Sequence, residues 1–312
     1  MKNVYLDNNA TTQIAPEVMT SMIDAMNLYG NASSMHSSGR EAMVAIENAR
    51  EYIGKLLNVE SDDIIFTSGG SESDNNVLYT ATSLIDKGSK RNRILVSTIE
   101  HPAVIETCKD LIEKGYNIQY VPVDSYGMVL PESLEKMMGE DVLLVSIMSA
   151  NNETGTIQPI KELTAIAHKG GALMHTDAVQ AIGKMLVDVT SWDVDYVSIS
   201  GHKFYGPKGV GALYVKRGVP FETFVKGGHQ EDGRRAGTYN TMSIIGMGEA
   251  ARLILEEHDT EWKREWSLRE KLREGLQERI PSGVITGHPL LCLPCTLNSS
   301  FPHPRGQSVL RR

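Results

Sequence analysis

Cysteine is scarce in this sequence, with only three among 312 residues. Three thiols are too few for a disulfide framework, and the pair Cys292 and Cys295 has no second Cys or His pair to complete a zinc site. A two-cysteine redox pair is the alternative, but no thioredoxin-like pattern surrounds it. The sequence therefore predicts no metal site, and we expect Cys108 to pack as a small apolar residue.

Long apolar runs and an excess of positive charge are also absent. No stretch approaches the ~20 apolar residues that a membrane-spanning helix needs, and residues 1–7 lack the apolar region of a signal peptide. Asp and Glu number 39 against 31 Lys and Arg, whereas nucleic-acid binding needs clustered cations. We therefore expect a cytoplasmic protein that binds neither membrane nor nucleic acid.

Short β-branched segments alternate with segments whose apolar residues have helical spacing. Residues 64–67 are typical of a strand and residues 71–86 of a helix, and the same pair of patterns recurs along the chain. Such alternation is typical of βαβ units and predicts an α/β fold with a mostly parallel central sheet flanked by helices. From about residue 244 the pattern changes to two long helices, predicted over 244–257 and 261–279.

One lysine follows a predicted strand directly. Residues 195–200 have the β-branched and aromatic content of a strand, and Gly201 forces a turn after it. Lys203 is thus predicted at the carboxyl edge of the sheet, where α/β proteins bind ligands. A partly desolvated lysine beside another cation has a lowered pKa and can form a Schiff base with a carbonyl. A solvated loop lysine is the alternative interpretation of Lys203 taken alone.

Other polar groups follow neighbouring predicted strands. Residues 67–73 join a strand to a helix with small residues whose free N–H groups suit a phosphate, although Ser71 as a simple helix cap is the alternative. His101 can stack on a flat ligand or cap the next helix. Residues 151–155 supply amide groups, and the carboxylate of Asp177 could pair with a protonated ring nitrogen.

Taken together, these groups are the parts that pyridoxal 5'-phosphate needs: an amine, an anion-binding helix start, a stacking group and a carboxylate. A nicotinamide-dependent dehydrogenase is disfavoured because no G-x-G-x-x-G fingerprint occurs. Asn8 and Asn9 follow a short extended N-terminal piece, where turn formation and a functional role are both open.

Seven motifs occur in order between residues 4 and 301. They are residues 6–12 (LDNNATT), 66–75 (FTSGGSESDN), 100–101 (EH), 151–155 (NNETG), 175–180 (HTDAVQ), 200–203 (SGHK) and 233–238 (GRRAGT). In this order they resemble the cysteine desulfurases of the NifS/IscS group, which are class V aminotransferase-like, fold type I pyridoxal-phosphate enzymes.

The resemblance implies roles by position. Lys203 would form the Schiff base, His101 would stack on the cofactor ring and Asp177 would face its pyridine nitrogen. Further implied contacts are those of Gln180 and Asn152 to the ring oxygen or substrate region, of Gly70, Ser71, Ser200 and His202 to the phosphate, of Thr238 from the partner subunit, and of Asn8 and Asn9 to the substrate.

The resemblance also implies a reaction and an assembly. The expected activity converts L-cysteine to L-alanine and passes the sulfur to an acceptor protein for iron–sulfur cluster or thio-cofactor assembly, in a homodimer with sites at the interface. A fold type I large domain is expected over residues 1–250, with residues 1–14 near the active site. A partial small C-terminal domain is expected over residues 251–312.

Two departures from the family pattern qualify this expectation. Gly70 and Ser71 stand where the family usually has Ala and Thr, which keeps the hydroxyl group. Family members continue past the strand predicted at 297–301 with a mobile loop that carries the nucleophilic cysteine and an arginine for the substrate carboxylate. We expect this chain to be truncated there, so that sulfur transfer is impaired, and the nucleophile is not assigned to Cys292 or Cys295.

Two alternatives to the desulfurase remain open at this point. Another class V reaction, such as that of a lyase or an aminotransferase, needs no cysteine nucleophile. A non-catalytic pyridoxal-phosphate-binding remnant that acts as a scaffold would keep the fold and the cofactor without turnover.

Overall fold

A central sheet holds the strands that the alternating pattern predicts. The structure, a computed structural model, describes residues 4–302, except for the side chains of residues 257–259. In chain order the strands of the sheet are β1 (Ile64–Thr67), β2 (Arg93–Ser97), β3 (Asn117–Val121), β4 (Val142–Ser146), β5 (Leu173–Asp177), β6 (Tyr196–Ser200) and β7 (Gly211–Val215). Their spatial order is β1-β7-β6-β5-β4-β2-β3.

The sheet is mostly parallel, which confirms the predicted α/β class. Strands β2 to β6 pair in parallel, whereas β7 runs antiparallel to both of its neighbours, β1 and β6. Because β7 is antiparallel to both β1 and β6, these two strands run in the same direction. The carboxyl ends of β1 and β6 therefore lie at the same edge of the sheet, with only the start of β7 between them.

The start of β7 requires a glycine. A Cβ atom on Gly211 would lie 2.5 Å from the carbonyl oxygen of Ile199 and 2.6 Å from the Cα of Gly69. Real Cβ atoms do not approach backbone atoms so closely, so only a residue without a side chain fits between the two neighbouring strand ends.

Helices cover both faces of the sheet. They are α1 (Pro16–Ala25), α2 (Ser37–Leu57), α3 (Gly70–Asp86), α4 (Pro102–Glu113), α5 (Pro131–Met137), α6 (Ile160–Lys169), α7 (Val189–Trp192) and α8 (Thr241–Arg279). Proline begins α1, α4 and α5, where its missing N–H costs nothing.

Alternate residues of the strands enter two apolar cores, one on each face. On β2, Leu95 packs with the core that includes α2 and α8, whereas Ile94 and Val96 pack with the core that includes α3 and α4. Every residue of β4, β6 and β7 is buried. Burial on both faces explains why these strands are continuous apolar runs rather than alternating ones.

The C-terminal part differs from the prediction in one respect. The two helices expected over 244–257 and 261–279 are one continuous helix, α8, because no Gly or Pro lies between them to end the first. Strands β8 (Val284–Thr286) and β9 (Asn298–Ser300) follow and pair antiparallel with each other.

The predicted domain division stays a prediction. Its boundary at residue 250 falls inside α8, and the predicted domain ends at residues 1–3 and 303–312 lie outside the described residues. None of the helices in the described part of the chain is both long enough and apolar enough to cross a membrane.

Candidate active site

A cavity of about 250 Å³ opens at the carboxyl edge of the sheet, next to the ends of β1, β5 and β6. With the exception of Thr238, all of the residues predicted to bind the cofactor line it: Gly70, Ser71, His101, Asn152, Asp177, Gln180, Ser200, His202 and Lys203. Residues far apart in the sequence therefore converge on one small volume, as the strand-end pattern predicts.

Lys203 lies in a 3₁₀ turn, Gly201–Lys203, that follows β6 directly. Its Nζ donates to the carbonyl oxygens of Asn9 at 2.6 Å and Ala10 at 2.9 Å. Burial lowers the pKa of this amine, and the charge of Lys184 lowers it further, while Asp177 acts in the opposite direction. A lowered pKa leaves more of the amine unprotonated at neutral pH, which is the form that can attack a carbonyl.

Asp177 ends β5 and is 4% exposed. One carboxylate oxygen accepts a hydrogen bond from the backbone N–H of Val179 at 2.8 Å. Burial raises its pKa to about 6, which the Val179 bond and the charge of Lys203 partly oppose. Among the described residues Asp177 forms no ion pair within bonding distance, so a cationic group in the cavity would be its natural partner.

His101 caps the next helix, which is one of the two functions that the sequence left open, and its predicted stacking on a flat ligand stays a prediction. Its Nδ1 accepts a hydrogen bond from the N–H of Ala103 at 3.1 Å and so caps α4. The same ring lines the cavity. Burial lowers the pKa of His101, as does the charge of Lys203, which favours a neutral ring. The cap fixes the ring beside the cavity, so the two interpretations are compatible.

The start of α3 faces the cavity without a side-chain cap. The helix begins at Gly70, and its N-cap is Gly69, which makes no side-chain capping bond. The alternative that Ser71 is a simple N-cap is therefore wrong, because Ser71 lies inside the first turn. Free N–H groups at the positive end of a helix of this length suit an anionic group, and the Ser71 and Ser200 side chains line the same region.

His202 contacts the N-terminal segment. Its Nδ1 lies 3.1 Å from the Oγ1 of Thr11. Burial, together with the charges of Lys203 and two other lysines, lowers its pKa to about 4. The ring is thus neutral at physiological pH and can take part in a hydrogen bond to an anion only through an N–H group.

The asparagines join the N-terminal segment to the cavity. Asn9 donates from Nδ2 to the carbonyl oxygen of Asn152 at 3.1 Å and to the Oγ1 of Thr296 at 3.0 Å. Gln180 donates from Nε2 to the carbonyl oxygen of Asn9 at 2.8 Å. Asn8 does not line the first cavity but an adjoining larger one, to which Asn9 and Lys203 also contribute. The predicted substrate roles of Asn8, Asn9 and Asn152 stay predictions.

Thr238 lies apart from the cavity. It is exposed and lines a different pocket, of about 240 Å³, together with Ser68 and Arg235. In one chain the structure does not bring Thr238 to Lys203, so a phosphate contact from Thr238 depends on a second subunit and stays a prediction.

Three titratable groups of the site have no role in the sequence interpretation. Asp74 lines the cavity, and burial together with the charge of Asp177 raises its pKa well above the usual range. Glu100 and Lys184 are buried nearby. Two features of the sequence point to these residues. Lys184 is the single charged residue of the segment 181–187, and Asp74 lies inside the motif at 66–75.

Cys108 is packed in the core, as the sequence predicts for a small apolar residue. All three cysteines are free, and Cys108 is fully buried, with its pKa raised to about 12 mainly by burial. Cys292 is buried, whereas Cys295 lines the larger cavity with Lys203 and Asn9. Burial raises the pKa of Cys295, which disfavours the thiolate form.

Known proteins resemble this chain along nearly all of its length. The sequence profile of the family described as aminotransferase class-V matches residues 4–305. The cysteine desulfurase IscS of Dictyoglomus turgidum is 45% identical over 311 residues, which are 99% of this chain and 78% of that protein.

Two solved structures are similar to the fold described above. A structure titled NifS-like protein superposes with a TM-score of 0.95 at 43% identity, over 99% of this chain and 85% of that one. A structure titled SspA in complex with cysteine superposes with a TM-score of 0.76 at 34% identity, over 80% of this chain and 72% of that one.

Proposed function

Because the chain belongs to the class-V aminotransferase family and, within it, to the cysteine desulfurases, we infer that it converts L-cysteine to L-alanine with pyridoxal phosphate and passes the sulfur to an acceptor for iron–sulfur cluster assembly. The observation that carries this inference is the convergence of Lys203, Asp177 and the uncapped start of α3 on one cavity. A relative that is 45% identical over 99% of this chain is named a cysteine desulfurase, and one solved neighbour is titled as a complex with cysteine.

The residues of the cavity fit pyridoxal phosphate. The buried carboxylate of Asp177 lacks a cationic side-chain partner among the described residues, and the N–H groups at the start of α3 lack a capping side chain. Asp177 would hold the ring nitrogen, the turn at Gly70 and Ser71 would hold the phosphate, and the Lys203 amine would hold the carbonyl carbon. When bound, the cofactor supplies an electron sink for bonds to the substrate α-carbon.

Residues of the protein can hold the cofactor in place and transfer protons. The lowered pKa of Lys203 makes its amine a base that can take a proton at neutral pH. The carboxylate of Asp177 would favour a protonated ring nitrogen through a charge-assisted hydrogen bond. Asn9 donates to the carbonyl oxygen of Asn152 at 3.1 Å, and both residues line the adjoining larger cavity, where they could contact the substrate.

The assembly and the compartment are further parts of the proposal. A homodimer is supported by exposed apolar side chains on and beside α1 and α2, among them Tyr29 at 87% and Met35 at 89% exposure. The position of Thr238 outside its own cavity supports a site completed by the partner. Three free cysteines suit a reducing cytoplasm, and the sulfur acceptor would be a protein of that compartment.

Turnover of L-cysteine by the full chain tests the proposed activity. The Lys203→Ala variant should lose at least about a hundredfold in alanine formation, because both the covalent link and the base are removed. The Lys208→Ala variant, which removes another lysine from the same loop, should retain activity. Mass spectrometry after borohydride reduction should locate the cofactor on Lys203.

Equal rates of alanine formation in wild type and Lys203→Ala would contradict the assignment. Reduction of the cofactor onto Lys208, with Lys203 unmodified, would contradict it as well.

A further inference from the structure

A second lysine is buried beside the cavity. Lys184 is 6% exposed and follows Gln180 by four residues in a stretch of turns. Its Nζ donates to the Oε1 of Gln180 at 2.5 Å, and Gln180 is its only hydrogen-bond partner within the described part of the chain. Lysine is almost never buried without a partner, because removing its charge from water is costly. A buried lysine that holds a site residue therefore calls for a functional explanation.

The chemistry of the two side chains fixes the orientation of the Gln180 amide. An ammonium group has donors and no acceptor, so Gln180 must turn its carbonyl oxygen toward Lys184. The NH₂ group of Gln180 then points the opposite way and donates to the carbonyl oxygen of Asn9 at 2.8 Å. That same oxygen accepts from Lys203 at 2.6 Å. An unbroken line of contacts thus joins Lys184 to the Lys203 amine.

We propose that Lys184 is a positioning residue of this site, which fixes the Gln180 amide with its NH₂ group toward Asn9 and the cavity and places a second positive charge beside the Lys203 amine. The proposal rests on the proposed function, since it takes Lys203 as the reacting amine. Lys184 itself does not line the cavity and touches the site through Gln180.

Two acidic groups lie near Lys184. Glu265 of α8 and the Cys295 thiol face it, and burial raises the pKa of both groups, which favours their neutral forms. Burial also lowers the pKa of Lys184 itself, while Glu265 and Cys295 raise it. Neither group forms an ion pair with Lys184 within the described residues, so the protonated form of Lys184 has no bonded counter-ion there.

The charge of Lys184 affects the pKa of two neighbouring groups of the site. Lys184 lowers the pKa of Lys203, second only to burial, and contributes to the lowered pKa of His202. Asp177 and Asp7 oppose the effect on Lys203. The two lysines therefore share one desolvated region, and the neutral form of the Lys203 amine is favoured there.

The pH profile of Lys203 tests the proposal. Competitive labelling of amines across a pH series, followed by peptide mass spectrometry, measures the reactivity of Lys203 in the cofactor-free full chain. In Lys184→Met and Lys184→Gln the labelling of Lys203 at neutral pH should fall roughly tenfold, which corresponds to an upward shift of about one pKa unit. The Lys161→Met control, which removes a lysine bound to Ser191 on the surface, should leave the profile unchanged.

A second readout separates the amide from the charge. The glutamine in Lys184→Gln can still donate to Gln180, so its affinity for pyridoxal phosphate should stay within about threefold of wild type, whereas Lys184→Met should lose more than that. Lys184→Arg keeps the charge and a donor and should preserve both readouts. Circular dichroism of each variant checks folding.

Several outcomes would overturn the proposal. One is an unchanged Lys203 profile in a folded Lys184→Met protein, and another is an equal loss of cofactor affinity in the Met and Gln variants. If no variant folds, a wild-type Lys203 that titrates together with Lys161 would also overturn it. The labelling is done without cofactor, so a failure of Lys203 to carry the cofactor would refute the proposed function and leave this result standing.

Discussion

Glu100 shows how burial sets the charge of a single side chain next to the site. It is 7% exposed and directly precedes His101. Its Oε1 accepts hydrogen bonds from the Ser97 hydroxyl and from the N–H of Met148, at 2.7 Å in the latter case, while Oε2 has no partner among the described residues. Burial raises the pKa of Glu100 to about 8, which the two hydrogen bonds only partly oppose. A pKa of about 8 favours the protonated form of Glu100 in the folded protein at neutral pH.

This protonation predicts a pH dependence of stability. The unfolded chain releases the Glu100 proton near its ordinary pKa of 4.5, whereas the folded chain keeps it up to about pH 8. The free energy of unfolding should therefore fall as the pH rises through this interval, because the folded state binds the extra proton. Glu100→Gln, which is neutral at every pH, should gain stability over wild type by on the order of 1–3 kcal/mol at pH 8 and much less at pH 5.

Thermal unfolding at a series of pH values measures the difference. Glu106→Gln is the matched control, because Glu106 is exposed and, among the residues that the structure describes, pairs only with Lys109 on the same helix. A Glu100→Gln difference that is constant between pH 5 and pH 8 would show that Glu100 is ionised in the folded protein.

Among the secondary-structure elements, α2 is joined to the sheet by a buried ion pair. The guanidinium of Arg50 contacts both carboxylate oxygens of Glu231, at 2.7 and 2.8 Å, and donates to the carbonyl oxygen of Ile64. Glu231 also accepts from the N–H of Phe66 at 2.8 Å. The pair thus links α2, β1 and the turn that leads into residues 233–238.

Breaking this pair should be costly. Arg50→Met leaves the Glu231 carboxylate buried without its cation, which should lower the free energy of unfolding by about 3–5 kcal/mol. The control is Lys55→Met, five residues further along α2, because Lys55 and Glu51 are both about 60% exposed and such a pair contributes at most about 1 kcal/mol. Urea unfolding compares them, and losses of equal size would contradict a special role for Arg50.

The secondary-structure elements also show how much of the fold can be predicted from the sequence. Apolar periodicity and turn residues predicted the strands and most helices, and they placed Lys203 directly after β6. They failed at α8, where a polar stretch without Gly or Pro was interpreted as a break. They also left the direction of β7 open, since strand patterns carry no orientation.

Long-range contacts explain what was missed at the site. The bond from Lys203 to Asn9 joins residues 194 positions apart, and the role of Lys184 depends on which way one amide points. Neither property has a local pattern, so only the packed structure contains it.

At the scale of the whole molecule, the proposed homodimer predicts complementation between defective subunits. Thr238→Val should bind pyridoxal phosphate roughly ten- to hundredfold more weakly, because a hydrogen bond to a charged group is lost. Lys203→Ala should form no covalent link. In a mixed dimer the Thr238→Val subunit keeps its own Lys203 and receives an intact Thr238 from its partner, so one complete site should return.

Cofactor titration of separately purified and then mixed variants measures this recovery, with sedimentation equilibrium to establish the number of subunits. No recovery on mixing, in a protein shown to exchange subunits, would place Thr238 in the site of its own chain. A monomeric full chain with tight cofactor binding would contradict the shared site altogether.

The antiparallel strand β7 also determines when β1 can pair during synthesis of the chain. Within the described residues β1 pairs only with β7, so a ribosome that has finished residues 64–67 must still make residues 68–210 before the partner of β1 exists. Throughout that interval the nascent chain carries an unpaired apolar strand, of the kind that chaperones hold and that aggregates when left exposed. We expect the cofactor to enter only after residue 215 has emerged, since β7 brings the end of β1 and the start of α3 beside the turn that carries Lys203.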